Sequence, residues 1–83
     1  MMTITIKFFA TYRQLAGIEQ FKIETEDTVT VAGVITQLEQ NYPQLSGKLS
    51  RNTLVAINEQ YVRREQQLRP NDTVAFFPPV SGG

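Results

Sequence analysis

One segment of this chain, residues 28–42, carries a sustained helical pattern. Because its apolar residues recur at spacings of three and four, it predicts an amphipathic helix with one buried stripe. The stripe consists of Val31, Val34, Ile35, Leu38 and Tyr42. Thr30 is a suitable N-cap, and Pro43 ends the helix within about a residue. In a chain of 83 residues, which has room for a single core, this stripe must be buried against strands. The pattern therefore indicates an α+β fold.

Short alternating segments on both sides of the helix predict the strands of one sheet. We place strands at residues 3–8, 19–24, 54–58, 61–63 and 73–77, and a short helical turn at residues 10–16 that stops at Gly17. The order is strand, strand, helix, then three strands. If the helical crossover brings the last strand beside the first in parallel, the fold is the β-grasp or ubiquitin-like plan. We expect a domain over residues 1–79 and a flexible tail over residues 80–83.

The composition excludes several kinds of chemistry. The chain has no cysteine and no histidine, so it lacks the commonest nucleophile, general base and zinc ligands. Its formal net charge is zero, which argues against binding nucleic acid. No apolar run approaches the roughly 20 residues that cross a bilayer, and the N-terminus has no basic-then-apolar leader pattern. We therefore expect a cytoplasmic protein without a metal site that does not act by its own catalytic side chains.

The last six residues predict a reactive tail. Pro78 and Pro79 cannot donate backbone hydrogen bonds, so they end strand pairing and stiffen the exit from the sheet. The four residues that follow, from Val80 and Ser81 to Gly82 and Gly83, can extend about 13 Å. Without a Cβ, the two glycines could thread a narrow channel and deliver the terminal carboxylate of Gly83. Once activated, that carboxylate could accept sulfur or be joined to an amine. The alternative is an inert, frayed tail.

Alternation along two strands predicts a pair of exposed aromatic rings. If Ile6 and Phe8 face the helix, Phe9 points to the opposite face of the sheet. By the same parity, Phe77 points away from the helix if Phe76 faces it. Two large rings on neighbouring strands favour a protein-binding face. The alternative is that the loop after Gly17 or the two prolines cover them.

Several of these segments resemble a known family. Residues 74–83 closely follow the ending of the MoaD-type sulfur carriers, the small subunits of molybdopterin synthase. Supporting similarity lies in residues 8–10, 13–17 and 55–58, and the resemblance covers nearly the whole chain. One departure is Asn71, which stands before Asp72 where the family usually has glycine. Asparagine tolerates positive φ better than most residues, so we expect the turn to be kept.

The resemblance implies a sulfur-transfer cycle. An ATP-dependent adenylyltransferase related to ubiquitin-activating enzymes would adenylate Gly83, and sulfur would then be installed as a thiocarboxylate. The tail would enter the large synthase subunit, and the sulfur would pass to cyclic pyranopterin monophosphate. The chain itself would bind no cofactor, and two copies would join a large-subunit dimer as a heterotetramer. The residues expected to contact partners are Phe9, Phe77, Pro78, Pro79, Val80 and Ser81, with Gly82 giving the tail access.

Three other functions remain open from the sequence. The chain could carry sulfur for thiamine thiazole synthesis, or it could be a ubiquitin-like modifier joined to lysines of other proteins. It could also be a binding module whose tail is inert.

Overall fold

The structure is a computed structural model that describes residues 1–49 and 52–79. The elements, in chain order, are β1 (Met2–Phe8), α1 (Thr11–Ala16), β2 (Gln20–Thr25), α2 (Val31–Asn41), a 3₁₀ turn (Pro43–Leu45), β3 (Leu54–Ile57), β4 (Gln60–Val62) and β5 (Thr73–Phe77). Every strand predicted from the alternation is present, with boundaries shifted by one residue or so. This confirms the α+β class.

The strands form one mixed sheet in the order β2-β1-β5-β3-β4. β1 and β5 run parallel in the centre, with Ile6 opposite Val74 and Phe8 opposite Phe76. The other pairings, β1 with β2, β3 with β4 and β3 with β5, are antiparallel. The parallel pair is joined through the α2 crossover, as parallel strands require. The predicted β-grasp topology is confirmed.

The core lies between α2 and one face of the sheet. Val31, Val34 and Leu38 of α2 are fully buried, as are Ile4 and Phe76 on the facing strands. Full burial of each such side chain contributes roughly 1.5–3 kcal/mol, so this stripe contributes substantially to the stability of the fold. Leu45 and Leu49 are also buried and hold the connection after α2 against the core, as predicted.

Both ends of α2 follow the sequence signals. The Gly33 amide donates to the Thr30 hydroxyl at 3.3 Å, which confirms Thr30 as the N-cap. The helix ends at Asn41, two residues before Pro43. That proline opens the 3₁₀ turn, which the sequence analysis did not predict.

The link between β1 and α1 differs from the prediction at one residue. Ala10, expected to begin the helical turn, has φ 54° and ψ −126° and lies outside α1. Gly17, in contrast, ends α1 in the left-handed conformation at φ 74°, as predicted. Asn71 also has positive φ, 68°, which agrees with the tolerance expected of asparagine there.

The predicted tail, residues 80–83, lies outside the described residues, and the boundary placed at residue 79 stays a prediction. Within residues 1–49 and 52–79, no helix combines the length and the hydrophobicity that crossing a bilayer demands.

Candidate functional site

The face of the sheet opposite α2 carries exposed apolar side chains. Because successive side chains of a strand point to opposite faces, burial of Phe8 and Phe76 against α2 turns Phe9 and Phe77 outward. The register adds Leu54, which lies directly opposite Phe77 on β3. Leu54 is 40% exposed and Phe9 is 39% exposed. We call this surface the open face.

Phe9 and Phe77 form a stacked pair on the open face. Their ring centroids lie 4.5 Å apart with an interplanar angle of 12°. The two rings meet because the parallel pairing of β1 with β5 continues one residue past Phe8. The Phe9 backbone amide donates to the Phe76 carbonyl at 3.2 Å. The predicted placement of the two rings on neighbouring strands is confirmed. Phe9 stays 39% exposed and Phe77 is half-buried, so the alternative that the loop after Gly17 or the prolines cover both rings is wrong for Phe9 and is met only in part at Phe77.

Tyr61 adds a third ring that the sequence analysis did not assign to the site. Tyr61 lies on β4, opposite Ala56 of β3, and is 71% exposed. The ring centroids of Tyr61 and Phe77 lie 6.2 Å apart in an edge-on arrangement. The signal that could have found it is the β3–β4 hairpin register: Val62 pairs with buried Val55, so the residue before Val62 must face outward.

A shallow depression of about 260 Å³ lies beside the stacked rings. Ala56 and Ala75 face each other across β3 and β5, and their small side chains leave this space on the open face. Phe9 and Phe77 line one part of the depression, and Lys7, which lies opposite Ala75 on β1, lines another.

Polar residues at the β3–β4 turn and at the start of β5 are joined by hydrogen bonds at one end of the open face. The Asn58 side-chain nitrogen Nδ2 donates to a carboxylate oxygen of Asp72 at 2.9 Å, and the Asn58 side-chain oxygen accepts from the Thr73 backbone amide at 3.0 Å. The second Asp72 oxygen accepts from the Arg69 amide at 2.8 Å. These bonds tie the turn to the start of β5 and so fix the strands that carry Ala56 and Ala75.

The open face leads directly to the tail. β5 ends at Phe77, and the chain continues through half-buried Pro78 and exposed Pro79. Both prolines therefore lie at the edge of the aromatic surface, and their contact with a partner stays a prediction. The other predicted site residues, Val80, Ser81, Gly82 and Gly83, lie outside the described residues.

The side chains on the open face are of a kind suited to contact with another protein. It presents aromatic and aliphatic surface with a few polar side chains, and the described part of the chain has no group of three or more acidic, histidine or cysteine side chains that could hold a metal ion. Apolar rings with a polar rim are typical of the core of a protein–protein interface.

Comparison with known proteins gives one family and consistent relatives. The ThiS family matches residues 6–83. The molybdopterin synthase sulfur carrier subunit of Dictyostelium discoideum is 36% identical over 81 residues, with 94% of this chain and 93% of that protein covered. The small archaeal modifier protein 3 of Haloferax volcanii is 29% identical over 92 residues, with 99% of this chain and all of that protein covered.

A solved structure shows the same fold in an assembly. It is the protein–protein complex of subunits 1 and 2 of the molybdopterin-converting factor from Helicobacter pylori, and one chain of it superposes on this one with a TM-score of 0.70. The identity is 23%, and the match covers 99% of this chain and all of that chain.

Proposed function

Because the chain belongs to the ThiS family, we propose that it is the sulfur carrier subunit of a molybdopterin synthase. The observation that supports this most is the aromatic stack of Phe9 and Phe77 at the point where β5 leads into the tail. A partner that binds the open face is thereby positioned to receive the residues that follow Pro79. In the H. pylori complex the similar chain is one of two subunits, which supports a partner subunit for this chain as well.

In this function the chain supplies a carboxylate and a docking face, and its partners supply the catalysis. An ATP-dependent adenylyltransferase joins the Gly83 carboxylate to AMP and releases pyrophosphate. A donor of sulfur at the sulfide level then attacks the acyl carbon, a C–S bond forms as the C–O bond to AMP breaks, and AMP leaves a thiocarboxylate on Gly83. Gly82 has no Cβ, and this gives the tail access to narrow active sites. The chain itself holds no cofactor, since ATP is consumed by the activating enzyme.

The acceptor reaction takes place in the large subunit. The open face binds that subunit through Phe9 and Phe77, while the segment from Pro78 to Ser81 leads the tail inward. The sulfur passes to cyclic pyranopterin monophosphate, and two copies of this chain serve a large-subunit dimer as a heterotetramer in the cytoplasm.

A second candidate is conjugation of Gly83 to amines of other proteins. It is favoured by the similarity to the small archaeal modifier protein, which extends over 99% of this chain. The two functions share the activated terminus and differ in the acceptor.

The deciding experiment is the intact mass of the protein after co-expression with its activating enzyme and a sulfur source. Sulfur carriage predicts a mass increase equal to the exchange of one oxygen for sulfur, located at Gly83 by fragmentation. Conjugation predicts isopeptide-linked species instead. An unmodified chain, obtained beside an activating enzyme that modifies another carrier, would contradict both functions.

A further inference from the structure

The depression on the open face has the size of one large side chain. An enclosed apolar cavity of about 150 Å³ holds a benzene molecule, so a depression of about 260 Å³ that is open on one side gives room for the end of an aromatic or a branched aliphatic side chain. The space exists because Ala56 and Ala75 lie opposite each other, where larger residues would fill it. It adjoins the Phe9–Phe77 stack, so a side chain inserted there would also contact a ring.

A positively charged side chain, that of Lys7, lies beside the depression. Lys7 is half-buried on β1, beside the central strand β5, and none of the described carboxylates forms an ion pair with it. Glu59 is the one acidic residue among the described residues that line the space. The recess has Phe9, Ala56, Ala75 and Phe77 as its apolar lining, and Lys7, Asn58, Glu59 and Thr73 as its polar lining. A cation beside apolar lining matches a partner segment in which a large apolar side chain has a carboxylate close by, because the charge pair would be partly desolvated on docking.

We propose that the depression over Ala56 and Ala75 is the specificity subsite of the docking face. It receives one large apolar side chain of the large synthase subunit, and a carboxylate next to that side chain pairs with Lys7. This inference rests on the proposed function, because it names the contact by which the open face selects that subunit. The aromatic stack supplies general apolar contact, whereas the recess and the cation set the register of docking.

The first test fills the recess. Ala75 is half-exposed and points away from the core, so Ala75→Leu should fold normally and occupy the space from within. We expect titration of the purified large subunit with the full-length variant to show affinity reduced about tenfold or more, the size of a hot-spot effect. Ala75→Ser is the matched control: it keeps the space open and should bind within about twofold of the unmodified chain. Wild-type affinity for Ala75→Leu, or equal losses for both variants, would overturn the proposal.

The second test uses charge and does not depend on how well the filled variant folds. Lys7→Glu should weaken binding more than Lys22→Glu does, and the difference should shrink as salt is raised. Lys22 lies on the edge strand β2, opposite Thr5, so it shares the open face with Lys7 but does not line the depression, and it reports the effect of a charge reversal on that face outside the depression. Equal losses from the two reversals would overturn the pairing of Lys7.

A third variant separates failure of this inference from failure of the proposed function. Phe77→Ala removes part of the stack and leaves both alanines and Lys7 in place. If it binds the large subunit as tightly as the unmodified chain, the open face is not the docking face and the specificity subsite falls with it, whereas the intact mass at Gly83 decides sulfur carriage independently. If it binds weakly while Ala75→Leu binds normally, docking on this face stands and the specificity subsite is wrong.

Discussion

The rings of Phe9 and Phe77 stack with centroids 4.5 Å apart on the solvent-exposed side of a parallel strand pair. Such a pair is worth roughly 0.5–1.5 kcal/mol beyond the area that it buries. It stabilises the free chain only modestly, because Phe9 stays 39% exposed. Apolar surface kept at the root of the tail is therefore better explained by a partner than by folding.

We predict that Phe77→Ala weakens large-subunit binding far more than it weakens the fold. Phe77 lies between Phe9 and Tyr61 in the aromatic surface, so its removal takes away the centre of the surface offered to the partner. Binding should therefore lose about 2 kcal/mol or more, the range of a hot spot. Calorimetric titration measures the affinity, and thermal unfolding measures the stability. Leu54→Ala, on the same face but outside the stack, is the matched control and should lose less. A loss of affinity no greater than that of the control would contradict the prediction.

This face shows how much of the site could be predicted from the sequence. The alternation of buried and exposed residues along β1 and β5 was enough to place Phe9 and Phe77, because each directly follows a buried residue of its strand. Tyr61 needed the β3–β4 register, which depends on the turn at Asn58 and Glu59, where both residues have positive φ. The depression could not be predicted, since it arises from two alanines on different strands that meet only in the folded sheet.

The fold was predictable for a related reason. The stripe on α2 and the alternation of β1 and β5 are local patterns that agree with the global packing. The error at Ala10 has a tertiary cause. The Phe9 amide bonds to Phe76 and the Phe9 carbonyl accepts from the Tyr12 amide at 3.2 Å, which forces a tight turn between them. Nothing local to the sequence requires that turn.

We predict that Ala10→Gly stabilises the protein, although this exchange usually destabilises. Ala10 occupies the first central position of the Phe9–Tyr12 turn with φ 54°, a position that favours glycine in type II′ turns. Relief of this strain should exceed the extra entropy of the unfolded glycine chain and give a gain of up to about 1 kcal/mol. Chemical denaturation measures the free energy of unfolding.

Ala32→Gly is the control for that prediction. Ala32 is exposed in the first turn of α2, where an alanine has no strain to relieve, so the same exchange should lower stability. Effects of the same sign at the two positions would contradict the assignment of strain to Ala10.

We predict that Tyr12→Phe destabilises the fold, because it leaves the buried hydroxyl of Thr53 without its partner, the Tyr12 hydroxyl. The Tyr12 hydroxyl lies 2.5 Å from the Thr53 hydroxyl and 3.3 Å from the Lys48 carbonyl, and Thr53 is 7% exposed. Loss of the phenol should cost about 1–3 kcal/mol, the penalty for an unsatisfied buried polar group.

The test of that hydrogen bond is a double-mutant cycle with Thr53→Val. Because valine removes the hydroxyl that Tyr12→Phe leaves stranded, the double variant should be more stable than the sum of the two single losses predicts. Strictly additive losses would show that the two hydroxyl groups do not depend on each other.

We predict that Gly83→Ala impairs sulfur transfer while leaving the fold unchanged. Gly83 follows the last strand, and the buried core of the described residues is complete without it. A methyl group on the reacting residue would misplace the carboxylate in a narrow channel, where small errors of position cost about tenfold to a hundredfold in rate. Thiocarboxylate formation by intact mass and transfer to the acceptor are the measurements, at matched protein concentration.

Gly47→Ala is the opposite control: Gly47 has φ 75° with no heavy atom within 4 Å of an added Cβ, so alanine there strains the backbone without touching the tail. That variant should lose about 1 kcal/mol of stability. Its rate of sulfur transfer should be unchanged when it is measured well below the melting temperature of the variant. Normal transfer by Gly83→Ala, at a concentration where the Gly47 variant also transfers normally, would show that the terminal glycine is not what the partners require.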